Sequence, residues 1–327
     1  MSASNTTSHT STPNAGTGLS AHGALPRSVL VLKGGPDAER EVSLKSGAMV
    51  AAALRNAGID VNEMTIDRPG LEELRGMRGE VVFPVLHGSW GEGGPLQELL
   101  EVDGRPYVGC GPKAARLAMD KIASKALVAE FGVPTPRSQE LRNGVEFNLD
   151  FPVVLKPADD GSSVDLRICH SMQEVMRARL EIGPRRDRIL AEEFITGREL
   201  TVGLIDGECL PIIEIRPRDG TYDYEAKYNR DDTQYILDPS LPDGVSEAVR
   251  AFSRAAWHAV GCRDLARVDF MLDERGPWFL EINTMPGCTD HSLVPKAAKH
   301  AGISMEDLVS GLVRRALSRV CARRVAA

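Results

Sequence analysis

Four polar side chains recur at alternate positions on two neighbouring stretches. Arg267 and Asp269 stand in Ala266-Arg-Val-Asp-Phe-Met-Leu272, and Glu281 and Asn283 in Trp278-Phe-Leu-Glu-Ile-Asn283. The first stretch alternates as a half-buried strand does, with Val268, Phe270 and Leu272 on one face and Arg267, Asp269 and Met271 on the other. Asp273 to Pro277 is turn chemistry. In the second stretch strict alternation sets Trp278, Leu280 and Ile282 against Phe279, Glu281 and Asn283. A hairpin with Leu272 opposite Trp278 puts Asp269 opposite Glu281 and Arg267 opposite Asn283. Two carboxylates directly across strands repel. A divalent cation between them removes the repulsion, and carboxylate and amide oxygens, completed by substrate phosphate, are what Mg²⁺ takes. The pattern therefore predicts a metal–phosphate site, which a one-residue slip in register would take apart. The competing reading is an edge hairpin with a solvated acidic face.

Such a site needs positive charge and flexible backbone from other elements. Lys156 ends the apolar run Phe151–Leu155, and the loop Ala158-Asp-Asp-Gly-Ser-Ser-Val164 follows. Backbone N–H groups and hydroxyls in such a loop can cradle phosphate, and the loop can close as a lid. It is no Walker A loop, because GxxxxGK[ST] does not occur. Lys121 and Lys125 fall on one long helix predicted over 112–131. Glu39 follows Gly34-Gly35, and His87 ends the strand Val82–Leu86; both are strand-end positions where open α/β sheets bind ligands. A helix-start acid and a strand-end histidine bonded to backbone are the ordinary alternatives. Gly109 to Ala114 matches GxGxxA formally, but Pro112 lies inside the turn and the motif follows the last strand of its unit, which argues against a dinucleotide site.

The elements that carry these residues fall into three groups. Strands at 28–32, 61–66, 81–86 and 106–108 alternate with helices at 41–56 (Val42, Met49, Val50, Ala53 and Leu54 inward) and 94–102, a small α/β unit. The second unit has strands at 151–155 and 188–195 and a helix over 171–182 with Met172, Val175, Met176 and Leu180 inward. The third has a hairpin around Asp206-Gly207, a loop over 216–242 containing Tyr222-Asp-Tyr-Glu-Ala-Lys-Tyr228, a helix over 246–260, the opening hairpin, and helices near 293–300 and 305–319. The expected division is a disordered tail over 1–26, then units at 27–111, 112–195 and 196–327. With 327 residues the chain is long enough for two or three cores at ~150 residues per domain. The net charge of −7 without a Lys/Arg run speaks against a nucleic-acid partner. The six scattered cysteines form no zinc pattern and read as reduced cytosolic thiols, and no apolar run approaches the ~20 residues of a membrane helix.

Taken in order, the motifs GGPDAEREVSLKSG (34–47), VLHGSWGEGGPLQ (85–97), MDK (119–121), LKP with DGSSV (155–164), EEFITGRELTV (192–202), YDYEAKY (222–228), ARVDFML (266–272) and FLEINTMPGCTDHSLVP (279–295) resemble the D-alanine–D-alanine ligases of the ATP-grasp superfamily. The resemblance spans about residues 28 to 319. It implies an α/β (α+β) ATP-grasp fold of three α/β domains, with ATP between the central and C-terminal ones. It implies a cytoplasmic, homodimeric enzyme that joins two D-alanines through an acyl phosphate for peptidoglycan synthesis. It implies two Mg²⁺ ions, replaceable by Mn²⁺. By the same resemblance Asp269, Glu281 and Asn283 match the magnesium ligands. Lys121, Lys156 and Lys227 match the phosphate contacts; Glu192, Phe194 and Ile195 match the adenine pocket and Glu199 the ribose ligand; Ser162, Ser163 and Glu193 also count among the ATP-binding residues. Glu39 matches the holder of the first D-alanine's ammonium, and Arg267 the group that steadies the reacting carboxylate and oxyanion. Ser162 and Tyr228 match a pair linking loop, substrate and Glu39. Gly287, Ser292 and Leu293 match the second D-alanine site, with His87 near the first.

Gly93, Pro95 and Asp165 depart from the usual family residues, and Asp165 would add negative charge near the phosphate lid. A ligase joining D-alanine to D-lactate is the alternative within the family, and Tyr228 favours the dipeptide type. A non-catalytic nucleotide binder on the same scaffold is the alternative outside it.

Overall fold

Ser28–Gly34 (β1) is apolar along most of its length because Val29 to Leu32 are buried on both faces. It lies in parallel between Asp60–Ile66 (β2) and Val81–Pro84 (β3), in the order β2-β1-β3. Helices Arg40–Asn56 (α1) and Leu71–Gly76 (α2) make the crossovers. The computed structural model describes residues 23–142, 145–161, 165–218 and 233–325. Ser162, Ser163, Lys227 and Tyr228 lie outside the described residues, as do 219–232 of the long loop and 1–22 of the tail. On α1, Val50, Ala53 and Leu54 are buried as expected, whereas Val42 and Met49 are only half-buried because they line a cavity. The strand expected over 106–108 is reduced to one parallel bridge, Val82 to Tyr107. Pro106 has no N–H to donate, and Gly109 turns the chain away at φ 102°.

Gly88–Gly91 (α3) and Pro95–Asp103 (α4) follow. The single helix expected over 112–131 is two, Pro112–Met119 (α5) and Lys121–Glu130 (α6). Asp120 breaks it: its backbone is extended and its Oδ1 accepts from the N–H groups of Ile122 and Ala123, both at 3.0 Å. A capping aspartate outcompetes helix continuation there, and Arg188 holds its other oxygen at 2.5 Å.

The second sheet is antiparallel, in the order β4-β7-β5-β6, from Ser138–Glu140 (β4), Val153–Pro157 (β5), Arg167–Cys169 (β6) and Ile189–Glu193 (β7). Met172–Ile182 (α7) covers it, started by Ser171, whose hydroxyl accepts from Glu174 N. Its buried stripe is Val175, Ala178 and Ile182; Met172, Met176 and Leu180 are exposed, contrary to the expected face. Val175, Ala178 and Ile182 share a core with Val153, Leu155 and Ala191 of the sheet.

The third sheet has the order β10-β9-β8-β11-β12. Its strands are Arg198–Ile205 (β8), Glu208–Arg216 (β9), Gln234–Leu237 (β10), Leu265–Asp273 (β11) and Gly276–Asn283 (β12). Val245–Val260 (α8) precedes β11, and Leu293–His300 (α9) and Met305–Val325 (α10) follow β12. Asp206 (φ 54°) and Gly207 (φ 82°) make the tight left-handed turn between β8 and β9. Val268, Phe270, Phe279 and Ile282 share one core with Ala118, Val128 and Trp257, so α5, α6 and α8 lie on this sheet. Val31 and Leu54 share another with Val294 and Leu312, which fixes the first sheet against the third unit. Among the described residues no helix is long and apolar enough to cross a membrane.

The β11–β12 register agrees with expectation at one end and differs at the other. Arg267 faces Asn283 and Asp269 faces Glu281. Nearer the turn Leu272 faces Pro277, and Met271 faces Trp278. The register shifts between Asp269 and Phe270, where β12 carries one extra residue, Leu280. This bulge also overturns the strict alternation: Phe279 joins Ile282 in the core, meeting Phe270 edge-on at 6.2 Å between centroids.

Candidate functional site

A cavity of about 1040 Å³ opens where the three units meet. Its wall brings together ten of the sequence-predicted residues: Glu39, His87, Lys121, Arg267, Asp269, Glu281, Asn283, Gly287, Ser292 and Leu293. Lys156, Glu192, Glu193, Phe194, Ile195 and Glu199 are not part of that wall. Lys156 and Glu192 stand on the second sheet, Glu193 pairs with Arg275 at 2.9 Å, and Phe194 N donates to Pro152 O at 3.1 Å. Ile195 is buried, and Glu199 lies on β8 opposite Met271.

The hairpin supplies an acidic wall whose charges are already answered. Arg267 Nε and Nη2 donate to the two oxygens of Asp269 at 2.9 and 2.8 Å. Thr201, opposite Asp269 on β8, donates its hydroxyl to Oδ1 at 2.6 Å. Lys121 Nζ lies 3.4 Å from Glu281 Oε2 and also donates to the Asp160 carbonyl. Asn283 Oδ1 accepts from Met285 N at 2.8 Å, which turns the chain into the 284–292 loop. Two carboxylates and an amide oxygen on one wall fit a hard divalent cation whose remaining positions come from ligand oxygens. Among the described residues no group of three His, Cys, Asp or Glu side chains forms an all-protein cage.

On the opposite side, Glu39 sits at the N-cap position of α1. Ser43 Oγ accepts from Gly34 N at 2.8 Å and donates to the Val85 carbonyl, joining the first glycine turn to the end of β3. His87 and Glu92 are both buried, with Nδ1 and Oε1 3.9 Å apart, and Gly88 N donates to Glu92 Oε1 at 3.2 Å. Burial pushes the His87 imidazole down, helped by Arg267 and opposed by Glu39. Burial and then Glu39 push the Glu92 carboxyl well up. Both shifts favour neutral forms. His87 Nε2 has no hydrogen-bond partner among the described residues, although it is buried.

The 284–292 loop is held by its own contacts and by α1. Ser292 Oγ accepts from Thr289 N at 3.0 Å, and Ser46 of α1 accepts from Cys288 N at 3.2 Å. A Cβ on Gly287 would lie 2.8 Å from Ser292 Oγ, so a larger residue there would have to displace the Ser292 hydroxyl. The departures also find places. A side chain on Gly93 would run into the Ser89 carbonyl. Pro95 begins α4, where its missing N–H costs nothing. The negative charge of Asp165 is met by Arg185 at 2.8 Å and Arg186 at 3.7 Å.

Behind the acidic wall, Glu192 is held by two lysines, Lys156 at 3.0 Å and Lys125 at 2.6 Å. Burial pushes the Glu192 carboxyl up, but the two ammonium groups outweigh it and the net shift is down. Burial pulls Lys125 down to about 8 against the pull of Glu192. Lys125, Glu92 and Thr201 had no assigned part in the sequence pattern. The spacing of Lys125 one turn after Lys121 was the one available signal, because burial of the other two depends on distant elements.

The family described as D-ala D-ala ligase C-terminus matches residues 130–314. A D-alanine–D-alanine ligase of Syntrophotalea carbinolica is 40% identical over 90% of this chain and 97% of its own length. The one from Bordetella parapertussis is 44% identical over 89% of this chain and 95% of its own. Among solved structures, D-alanine–D-alanine ligase from Bacillus anthracis complexed with ATP superposes with a TM-score of 0.77 at 29% identity, covering 92% of this chain and 100% of that one. VanG D-Ala:D-Ser ligase from Enterococcus faecalis gives a TM-score of 0.76 at 26% identity, over 88% and 98% of the two chains.

Proposed function

The chain belongs to the D-alanine–D-alanine ligase family, and on that premise we propose how its residues divide the work of joining two D-alanines with cleavage of ATP. Its fold is the ATP-grasp fold of that family. The reading rests on one observation above all: a carboxylate from the first unit, Glu39, shares a cavity with Arg267, Lys121 and the acidic wall. A carboxylate is a poor acyl donor. Transfer of the γ-phosphoryl of ATP to the first D-alanine gives an acyl phosphate and ADP. The amine of the second D-alanine attacks the acyl carbon, phosphate leaves, and the amine loses a proton as the peptide forms.

In this assignment Glu39 holds the first substrate's ammonium, and Arg267 and Lys121 face the charge that builds on the transferring group and the tetrahedral oxygen. Gly287, Ser292 and Leu293 receive the second D-alanine, and the neutral His87 borders the first. Asp269, Glu281 and Asn283 would hold Mg²⁺, or Mn²⁺ in its place, which when bound neutralises phosphate charge. Glu192 to Ile195, Glu199 and Lys156 face the nucleotide. Ser162, Ser163, Lys227 and Tyr228 are proposed partners from the two loops that exclude water from the acyl phosphate. The units 27–111, 112–195 and 196–327, a homodimer, and a cytoplasmic location supplying peptidoglycan precursors complete the proposal. Phosphate release with ATP, Mg²⁺ and a panel of D- and L-amino acids tests it: D-alanine should support turnover, while L-alanine, or D-lactate as the second substrate, should not. No phosphate release above background with D-alanine would reduce the protein to a nucleotide binder.

A further inference from the structure

The reaction as assigned gives no part to the buried ammonium of Lys125. Lys125 leaves α6 with its side chain 3% exposed, and its Nζ joins two sheets. It lies 2.6 Å from Glu192 Oε2 on β7 and donates to the Phe279 carbonyl on β12 at 3.0 Å. An ammonium this deep is unfavourable unless it is paired, so its place requires the Glu192 carboxylate. Lys156 already holds the other oxygen at 3.0 Å, so charge neutrality alone would need only one lysine. Glu192 Oε2, although ion-paired, has no well-directed hydrogen bond among the described residues. A buried carboxylate oxygen thus keeps acceptor capacity for a ligand.

We propose that Lys125 is a positioning residue for nucleotide selection: it keeps Glu192 ionised and fixed as a pure acceptor, so that the site takes a purine with an amino group at position 6 and rejects one with a carbonyl there. The inference rests on the reading that Glu192 faces the base. An ionised carboxylate only accepts hydrogen bonds, whereas a protonated one also donates. Facing a carbonyl, the ionised form sets two acceptors against each other in a buried site, and such mismatches discriminate strongly. With Lys156 as its one cation, the buried Glu192 would take a proton more readily and tolerate the carbonyl. The Phe279 link adds register, because Glu281 lies two residues further along the same strand and the base pocket is thereby tied to the acidic wall.

The test compares ATP with ITP in phosphate-release assays at saturating D-alanine and Mg²⁺. Variants are Lys125→Met, Lys125→Gln, Lys125→Arg and Glu192→Gln. Lys125→Met should raise KM for ATP and lower the ATP-to-ITP ratio of kcat/KM, each by about tenfold, with KM for D-alanine unchanged; Lys125→Arg should restore most of the ratio. If Lys125→Met fails to fold by circular dichroism, Lys125→Gln, which can still donate to a carbonyl, should show the same loss of ratio. A ratio unchanged in Lys125→Met or Lys125→Gln but lowered in Glu192→Gln overturns the role of Lys125 and leaves the base reading intact. A ratio unchanged in Glu192→Gln as well removes the base reading, and the proposal with it.

Discussion

Replacing Thr201 by Val tests whether the Asp269 carboxylate is a metal ligand. The two side chains have nearly the same shape, so the buried packing of β8 changes little. What is lost is the 2.6 Å hydrogen bond from the hydroxyl to Asp269 Oδ1, leaving Arg267 to orient the carboxylate. A hydrogen bond to a charged group contributes about 1.5–3 kcal/mol, which corresponds to roughly a tenfold to hundredfold change in an equilibrium constant. Partners that orient a metal's ligands act on the same scale, roughly 10–100-fold in affinity. The expected result is therefore a rise of that size in the free Mg²⁺ needed for half-maximal phosphate release at fixed ATP. At saturating Mg²⁺, kcat should stay within about threefold of wild type, because orientation is then restored by mass action. A melting temperature lower by a few degrees would accompany it and would not by itself support the argument. An unchanged Mg²⁺ midpoint combined with a lower kcat would refute it, and Asp269 would then be a structural partner of Arg267.

Asp120→Ala should lower stability by about 1–2 kcal/mol, because it removes the cap of α6 and the partner of Arg188. Burial pushes Asp120 up, but Arg188 and the two N–H groups outweigh it, so its folded pKa lies below the usual 3.8. Its stabilisation is therefore complete above that value and lost as pH falls through the folded one, and the wild-type advantage in urea unfolding should shrink between pH 7 and pH 3 (roughly). His87 works in the opposite sense to a salt-bridged histidine. Burial depresses its folded pKa below 6.5, so the unfolded chain takes the proton first and stability falls as pH drops below that value. Replacing it with Asn should flatten that part of the denaturation profile; an equal slope in both proteins would show that other groups carry it. Gly287→Ala should raise KM for D-alanine about tenfold by displacing Ser292, with KM for ATP unchanged in the same steady-state assay.

Much of the site was readable because it rests on local rules. A period of two put Arg267, Asp269, Glu281 and Asn283 on one wall, and Asp206-Gly207 announced its own turn. The readings that failed did so where a distant partner decides. Asp120 looked like one polar position of a long helix until Arg188 gave its second oxygen a partner. Of Met172, Val175, Met176 and Leu180 only Val175 packs, together with Ala178 and Ile182, because the sheet beneath decides which side of the helix is covered. Lys125 shows only its spacing from Lys121, and nothing local distinguishes Glu92 or Thr201 from solvated neighbours. The hairpin joins both cases. Strict alternation in β12 would place Phe279 on the same face as Glu281 and Asn283, an aromatic ring on an acidic wall. The register at the Asp273–Gly276 turn and the pairing of Asp269 with Glu281 differ by one residue, and Leu280 absorbs the difference. Leucine is apolar on either reading, so the bulge leaves no trace in the pattern. Its effect is to send Phe279 into the core with Phe270, where Lys125 of α6 reaches its carbonyl, while both acids keep their face toward the cavity. The irregular residue is thus what lets one strand serve the core and the acidic wall together.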